Sequence, residues 1–197
     1  MTIYGFLIAP LLLSGLVHHL VVVKYGVWPS LARPIDGGAM WRDKPLLGSS
    51  KTWRGVAVMI GLNGMFSALA GKILSVGGLG LEPMWVGVVT AVGYSLGELP
   101  TSFGKRRLDI PPSQQAGGWK GAVFYGWEQA DSIIGAVVAA NLVMPLTLIQ
   151  SGILIIMGTG LHWLVDCGLY LFGYKKNLAK PEVLKKLLGR KGWPEPE

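Results

Sequence analysis

Long apolar stretches constrain the fold of this chain more than any other feature of its sequence. They run from Ile3 to Val23, from Val56 to Ile73 and from Met84 to Leu99. A helix of about 20 apolar residues crosses the hydrocarbon core of a bilayer, which is about 30 Å thick. The stretch from Ser132 to Phe172 carries few charges and is long enough for two such helices, with a predicted break at Pro145. We therefore predict five transmembrane helices.

Composition points to the same class of protein. Of the 197 residues, 51% are hydrophobic and only 15% are charged, which is more apolar than an ordinary soluble domain. We predict an all-α integral membrane protein with a single membrane-embedded domain over residues 1–197, two long cytoplasmic loops and a short basic C-terminal tail. The lone cysteine, Cys167, excludes a disulfide within the chain and a cysteine-rich zinc site. The net charge of +7 favours anionic lipid over nucleic acid, because no base-stacking module accompanies it.

Basic residues are distributed unevenly over the predicted loops. Of the 18 lysines and arginines, only Lys72 falls on the side opposite to the 24–54 loop, the 99–131 loop and the C-terminal tail. Positive residues collect in cytoplasmic loops, so this bias places the N-terminus outside and the C-terminus inside. Topology accounts for many of these cations, but it does not account for the acidic residues near them.

The segment from Ser102 to Asp131 combines dense charge with flexible backbone, and we predict that it forms an active-site loop. Lys105, Arg106 and Arg107 offer three adjacent cations. Guanidinium groups match phosphate oxygens with paired hydrogen bonds. The sequence therefore predicts a phosphate-binding site in this segment.

Glycines and carboxylates follow these cations. Gly117 and Gly118 allow backbone N–H groups to approach an anion closely. Glu128 and Asp131 are three residues apart, which on a helix places both carboxylates on one face, a spacing suited to Mg²⁺. Cations for phosphate and carboxylates for a metal together indicate nucleotide chemistry. The alternative is that both acids cap the N-terminus of a helix.

The connection from Lys24 to Arg54 is polar and contains several prolines and glycines, so we predict a loop. Its end carries Lys51, Thr52 and Arg54 at the mouth of the second apolar stretch. A phosphate-binding loop of the G-x-x-x-x-G-K-[ST] type is not indicated, because its first glycine and the preceding strand are missing. The end of the loop is a candidate nucleotide-binding segment, and a lipid-headgroup anchor is the alternative.

Polar and small residues within the apolar stretches are further candidates. Gly93 and Gly97 have the spacing that lets helices approach closely, and Glu98 follows at the end of that stretch. In the last stretch, His162 and Asp166 are four residues apart and project from one face. A carboxylate in an apolar span is unfavourable, so Asp166 is predicted to be a site residue or, alternatively, an acid paired or protonated within the bundle.

The order of these motifs resembles the signature of CDP-diacylglycerol synthases, in which S-x-x-K-R, a glycine element and D-R-x-D follow one another. The matching residues are Ser102-Phe103-Gly104-Lys105-Arg106, Pro111, Gly117-Gly118 and Glu128-Gln129-Ala130-Asp131. Glu128 and Gln129 replace the first acid and the arginine of that signature. These departures, the stretch from Gly48 to Gly55 and the late His162 and Asp166 look much more like the archaeal CDP-archaeol synthases.

This resemblance implies a CTP-dependent nucleotidyltransferase that uses Mg²⁺. It would move the cytidylyl group of CTP to an unsaturated archaeol phosphate, an isoprenoid ether lipid phosphate. Nucleotide binding is assigned to Ser102, Lys105, Arg106, Gly117, Gly118, Lys51, Thr52 and Arg54. The metal is assigned to Glu128, Asp131 and Asp166. The catalytic residues are assigned as Lys105, Arg106, Arg107, Lys51 and Asp166.

Two other functions are alternatives on the sequence alone. A CTP-dependent polyprenol kinase would transfer the γ-phosphoryl group instead of the nucleotidyl group. A small transporter would explain Glu98, His162 and Asp166 within apolar sequence, but it predicts polar gates on both sides and an internal repeat, and the sequence shows neither.

Overall fold

The computed structural model describes residues 2–23, 25–74, 82–112, 114 and 118–171. Five long helices dominate this part of the chain. They are α1 (Thr2–Val17), α2 (Trp53–Ile73), α3 (Pro83–Arg107), α4 (Gly118–Val143) and α5 (Leu148–Leu171). A π-helical segment, His18–Val23, continues α1. The basic C-terminal tail lies outside the described residues.

Three helical segments are long and apolar enough to cross a membrane. Within the described residues these are Ile3–Leu20, Trp53–Ile73 and Leu148–Leu169. The helices α3 and α4 are 25 and 26 residues long, but they carry more charged and polar residues. The prediction of a helical protein with membrane-spanning segments is thus confirmed in part. That all five helices cross the membrane stays a prediction.

The prediction of a continuous active-site loop over residues 102–131 is wrong. Helix α3 continues beyond Pro100, and its connection to α4 is confined to residues 108–117. Proline has no N–H to donate to the carbonyl four residues before it, and membrane helices tolerate this loss. The Ser102 hydroxyl donates to a different carbonyl, that of Glu98, at 3.0 Å. Most of the predicted site residues of this segment are therefore helical.

The connection between α1 and α2 is a loop, as predicted, but it contains an unpredicted β-hairpin. Its strands are β1 (Met40–Trp41) and β2 (Lys44–Pro45), which pair antiparallel. The turn residues Arg42 and Asp43 both have positive φ angles, 50° and 59°. Turns of this kind usually carry Asn-Gly or Asp-Gly, so the Arg-Asp pair offers no recognisable hairpin signal.

Glycines allow α3 and α4 to pack closely, as the spacing of Gly93 and Gly97 predicts. A Cβ atom at Gly97 would overlap with the backbone carbonyl of Asp131, and one at Gly93 would overlap with the carbonyl of Gly135. Only a residue without a side chain permits this approach of two backbones. The contact places the backbone at Asp131 directly against α3, next to Glu98.

An apolar core joins α1 to α3, α4 and α5, whereas a polar contact joins α2 to α3. The Asn63 side-chain amide donates to the Gly87 carbonyl at 2.7 Å and to the Thr90 hydroxyl at 2.9 Å. These hydrogen bonds fix α2 against α3, since a buried amide is costly without partners. The buried core residues are Phe6, Leu7, Ile8, Val86, Ile133, Val137, Ala140, Met144 and Leu154.

Candidate active site

A cavity of about 270 Å³ lies between the five helices and the end of the α1–α2 loop, with Ile133 as the contribution of α4. Part of its wall is apolar and includes Leu11, Leu12 and Met59. The rest is polar, with charged and titratable residues His18, His19, Lys51, Glu98, His162 and Asp166. Residues that are far apart in sequence therefore meet at one place, with charged groups beside apolar surface.

Lys51 and Glu98 form an ion pair in the wall of this cavity. The backbone of Lys51 is held in place because the Ile35 N–H donates to its carbonyl at 2.9 Å. Burial alone would lower the pKa of Lys51, but the surrounding carboxylates, above all Glu98, raise it. The raised pKa keeps Lys51 positively charged beside the Glu98 carboxylate.

Helix α5 contributes His162 and Asp166 to the same wall, as their spacing predicts. Gln129 Nε2, on α4, donates to the Asp166 carboxylate at 3.4 Å. His162 Nδ1 lies 3.3 Å from the Gln129 backbone carbonyl. A carbonyl oxygen only accepts, so His162 Nδ1 is the donor in this contact. One residue of α4 thus orients both side chains of α5.

Glu128 and Asp131 lie on α4 but not in the wall of this cavity. Glu128 pairs with Lys105 at 2.7 Å, and that lysine side chain is only 5% exposed. The buried Asp131 carboxylate accepts a hydrogen bond from the Ser132 N–H at 2.6 Å and lies within electrostatic range of Glu98. Among the described residues, no three His, Cys, Asp or Glu side chains form a metal-binding group. The metal assignment stays a prediction.

Arg106 and Arg107, predicted to hold phosphate, donate to backbone carbonyls instead of facing the cavity. Arg106 Nε donates to the Leu47 carbonyl at 3.1 Å, and its Nη1 donates to the Ile110 carbonyl. Arg107 donates to three carbonyls of the hairpin, those of Trp41, Lys44 and Pro45. These two arginines therefore join the α1–α2 loop to the end of α3.

Thr52 lines the cavity, and its hydroxyl also caps α2. The hydroxyl oxygen accepts from the Gly55 N–H at 3.2 Å, so α2 begins before Val56, where the apolar pattern predicts its start. Arg54 does not line the cavity, and its Nη1 donates to the Val27 carbonyl at 3.2 Å.

The remaining predicted nucleotide-binding residues come from the ends of α3 and α4. Ser102 is buried and donates to the backbone of its own helix. Gly118 is the first residue of α4, and Gly117 lies outside the described residues. Of the predicted site residues, the cavity brings together Lys51, Thr52 and Asp166.

Sequence reasoning missed Tyr94 and Gln129. Tyr94 lines the cavity one helical turn before Glu98, and this spacing was an available signal. Gln129 is 6% exposed and contacts Asp166 and His162. Its place within the Glu-Gln-Ala-Asp motif, where the related signature has arginine, was the corresponding signal.

The fold and the cavity define a class of protein. Apolar helices of membrane-spanning length enclose a polar cavity that holds a cation, two carboxylates and histidines beside apolar surface. Polar groups at such a position are expensive to place and mark a functional site. This arrangement is typical of a membrane-embedded enzyme with charged groups beside apolar surface.

Comparison with known proteins gives the family. A family model described as CarS-like CDP-archaeol synthase matches residues 10–178, and the chain belongs to this family. A CDP-archaeol synthase of Thermococcus onnurineus is 31% identical over 146 residues, which cover 73% of this chain and 81% of the relative.

Further relatives agree with this family. The CDP-archaeol synthase of Halorubrum lacusprofundi is 33% identical over 156 residues, covering 73% of this chain and 82% of the relative. The CDP-archaeol synthase of Thermococcus kodakarensis is 33% identical over 153 residues, covering 73% of this chain and 80% of the relative. No solved structure matches the chain significantly. Membership confirms the predicted enzyme class, a CTP-dependent nucleotidyltransferase of archaeal lipid synthesis, and an integral membrane protein.

Proposed function

We propose that this chain transfers the cytidylyl group of CTP to an unsaturated archaeol phosphate, producing CDP-archaeol and pyrophosphate. The observation that carries the proposal is the cavity in which Lys51, Glu98 and Asp166 meet beside apolar surface. Membership of the CDP-archaeol synthase family supports the same reaction.

The reaction needs alignment and charge stabilisation more than acid–base catalysis. An oxygen of the lipid phosphate attacks the α-phosphorus of CTP, and the bond from that phosphorus to the α–β bridging oxygen breaks. The electron pair leaves with pyrophosphate, so no strong base has to remove a proton. Lys51 supplies positive charge at the cavity, where a phosphate oxygen exchanges with Glu98 as its partner.

The carboxylates of the cavity suit Mg²⁺, the proposed cofactor. Mg²⁺ keeps several water ligands and typically takes one or two carboxylates together with substrate phosphates. Glu98 and Asp166 line one cavity and provide two such groups, and Asp131 lies within electrostatic range of Glu98. Mg²⁺, when bound, supplies neutralisation of the triphosphate charge. Glu128 is the weaker ligand candidate because it does not line this cavity.

The apolar wall of the cavity supports a lipid substrate. Leu11, Leu12 and Ile133 line this cavity and also a second, smaller cavity that is surrounded mostly by apolar residues of α1, α4 and α5. A prenyl chain entering between the helices therefore finds apolar surface next to the groups that receive its phosphate. We expect selection for the phosphate and for bulky chains, with water-soluble glycerol phosphate a poor acceptor.

We also propose that all five helices cross the membrane, with the N-terminus outside and the site on the cytoplasmic side, where CTP is available. The distribution of lysine and arginine supports this orientation. A C-terminal tag should resist protease added to intact cells, whereas a tag before Ile3 should be cleaved. Cleavage of the C-terminal tag would contradict the orientation.

Labelled CTP tests the proposed function. Purified protein in vesicles that contain archaeol phosphate and Mg²⁺ should move label from the α-phosphate of CTP into lipid and release the γ label as pyrophosphate. A polyprenol kinase would place the γ label in the lipid, and a transporter would convert neither substrate. Either result would overturn the proposal.

A further inference from the structure

We propose that Arg107 is a positioning residue that fixes the β1–β2 hairpin to the end of α3 and thereby holds Lys51 at the cavity. The importance of Lys51 for transfer rests on the proposed function. The attachment of the hairpin rests only on the contacts of Arg107, which we call the arginine clamp.

The clamp consists of hydrogen bonds from one guanidinium to both strands of the hairpin. Arg107 Nη1 donates to the Trp41 carbonyl on β1. Arg107 Nη2 donates to the carbonyls of Lys44 at 3.1 Å and Pro45 at 2.6 Å on β2. Hydrogen bonds from a charged donor are about twice as strong as neutral ones, so the clamp is a major attachment of a short hairpin.

Aromatic and ionic contacts surround this guanidinium. Its central carbon lies 5.5 Å from the centre of the Trp41 ring and 5.0 Å from that of Phe103, and the two rings stack at 5.3 Å. Lys44 Nζ donates back to the Arg107 carbonyl at 3.2 Å and pairs with Asp109 at 2.7 Å. The hairpin and the end of α3 are therefore joined from both sides.

Hydrogen bonds to the Asp36 carboxylate and between backbone groups connect the clamped hairpin to Lys51. The Asp36 carboxylate accepts from the N–H groups of Leu47 at 2.9 Å and Gly48 at 3.4 Å, just after β2. The Lys51 N–H donates to the Gly48 carbonyl at 3.5 Å, and the Lys51 carbonyl accepts from Ile35. Movement of the hairpin therefore shifts the segment that carries Lys51.

The same contacts argue against Arg107 as a direct phosphate ligand. Three of its hydrogen bonds go to backbone carbonyls, and a fork that is donating to carbonyls cannot present the same N–H groups to a phosphate. Arg107 also does not line the cavity. It acts on the site through the loop.

Two measurements on protein without CTP or lipid test the clamp. In Arg107→Ala, amide hydrogen exchange at Leu46, Leu47 and Gly48 should be about tenfold faster or more, while α5 keeps its wild-type exchange. Labelling of the Lys51 amine by an acylating reagent, read by mass spectrometry, should rise several-fold. Arg107→Lys keeps the charge but loses the two-pronged guanidinium, so it should give intermediate values in both measurements. It replaces Arg107→Ala in the test if the alanine variant does not fold.

Arg42→Ala is the matched control, because Arg42 is exposed on the same hairpin, 5.4 Å from the Trp41 ring. It should leave both measurements unchanged. Wild-type exchange and Lys51 labelling in Arg107→Ala and Arg107→Lys would overturn the clamp, and so would faster exchange throughout α5. Neither measurement uses substrate, so a failure of the transfer reaction would leave this test intact.

Discussion

Two groups of basic residues border the site, and they have different kinds of partner. Lys51 pairs with the Glu98 carboxylate in the wall of a cavity. Arg106 and Arg107 donate to backbone carbonyls at the end of α3 and do not face that cavity. A cation beside a cavity can exchange a carboxylate for a phosphate, whereas a cation that satisfies backbone carbonyls cannot leave them without releasing the loop.

Lys105 occupies an intermediate position. It pairs with Glu128 as Lys51 pairs with Glu98, yet its side chain is only 5% exposed, against 26% for Lys51. Breaking a buried pair leaves an uncompensated charge, so Lys105 is less available to a substrate than Lys51. Charge alone therefore does not mark a phosphate-binding residue. The partner of the cation and its access to a cavity distinguish such a residue.

Removal of the cavity carboxylate on α5 should have the largest effect. Asp166→Asn keeps the shape of the side chain but removes the charge, so transfer should fall about 100-fold or more if Asp166 serves substrate or Mg²⁺. The initial rate of label transfer from CTP to lipid, compared with that of the wild type, measures this loss of activity.

Asp109→Asn is the matched control, since it is the same change in a side chain that is 74% exposed at the end of α3. Its ion pair contributes little, so transfer should stay within about twofold of wild type. A folded Asp166→Asn enzyme with wild-type rates would remove Asp166 from the site.

A methyl group inserted between α3 and α4 should have an intermediate effect. Gly97→Ala forces a methyl group against the Asp131 carbonyl, so stability should fall by about 1–3 kcal/mol, with a lower midpoint of thermal unfolding in detergent. Gly126→Ala on α4 is the control, because a Cβ there meets nothing within 4 Å, and it should be neutral or slightly stabilising. Equal midpoints for the two variants would show that the close approach of the helices is not required.

Acidification should have the smallest effect, confined to the loop. Partial burial would raise the pKa of Asp36, but hydrogen bonds from the N–H groups of Gly38, Leu47 and Gly48 lower it overall. The pKa of Asp36 is therefore lower in the folded protein than in the unfolded chain, where it is about 4, so the ionised carboxylate stabilises the loop above about pH 4. This stabilisation is lost as the pH falls through the pKa of the folded protein. Amide exchange at Leu47, corrected for its intrinsic rate, should therefore increase below about pH 4.

Asp36→Asn should weaken that pH dependence, with a loss of stability of roughly 1 kcal/mol at neutral pH. Asp43→Asn, at the exposed turn of the same hairpin, should retain it. Identical profiles for wild type and Asp36→Asn would show that these hydrogen bonds do not order the loop.

Features set by local pattern could be predicted from the sequence. Apolar length predicts the helices, the spacing of Gly93 and Gly97 predicts a close approach to another helix, and the spacing of His162 and Asp166 predicts a shared face. These properties depend on residues within a few turns of one another. Tertiary contacts are not needed to see them.

Features set by distant partners could not be predicted. Arg107 and its acceptor Lys44 are 63 residues apart, so the sequence cannot show that its donors meet a hairpin instead of a phosphate. The hairpin itself has no usual turn residues, and α3 continues past Pro100, where the sequence predicts the end of a helix. The basic motif could be recognised, but its division into two roles could not.

CTP binding by a lysine variant and an arginine variant tests the difference between the two groups most directly. Lys51→Met and Arg42→Met each remove one positive charge, from the cavity wall and from the exposed turn of the hairpin. Titration of purified protein with CTP and Mg²⁺ should show affinity weakened about tenfold or more by Lys51→Met and less than about threefold by Arg42→Met. Wild-type affinity in Lys51→Met, or an equal loss in Arg42→Met, would contradict the assignment of the nucleotide phosphates to the cavity.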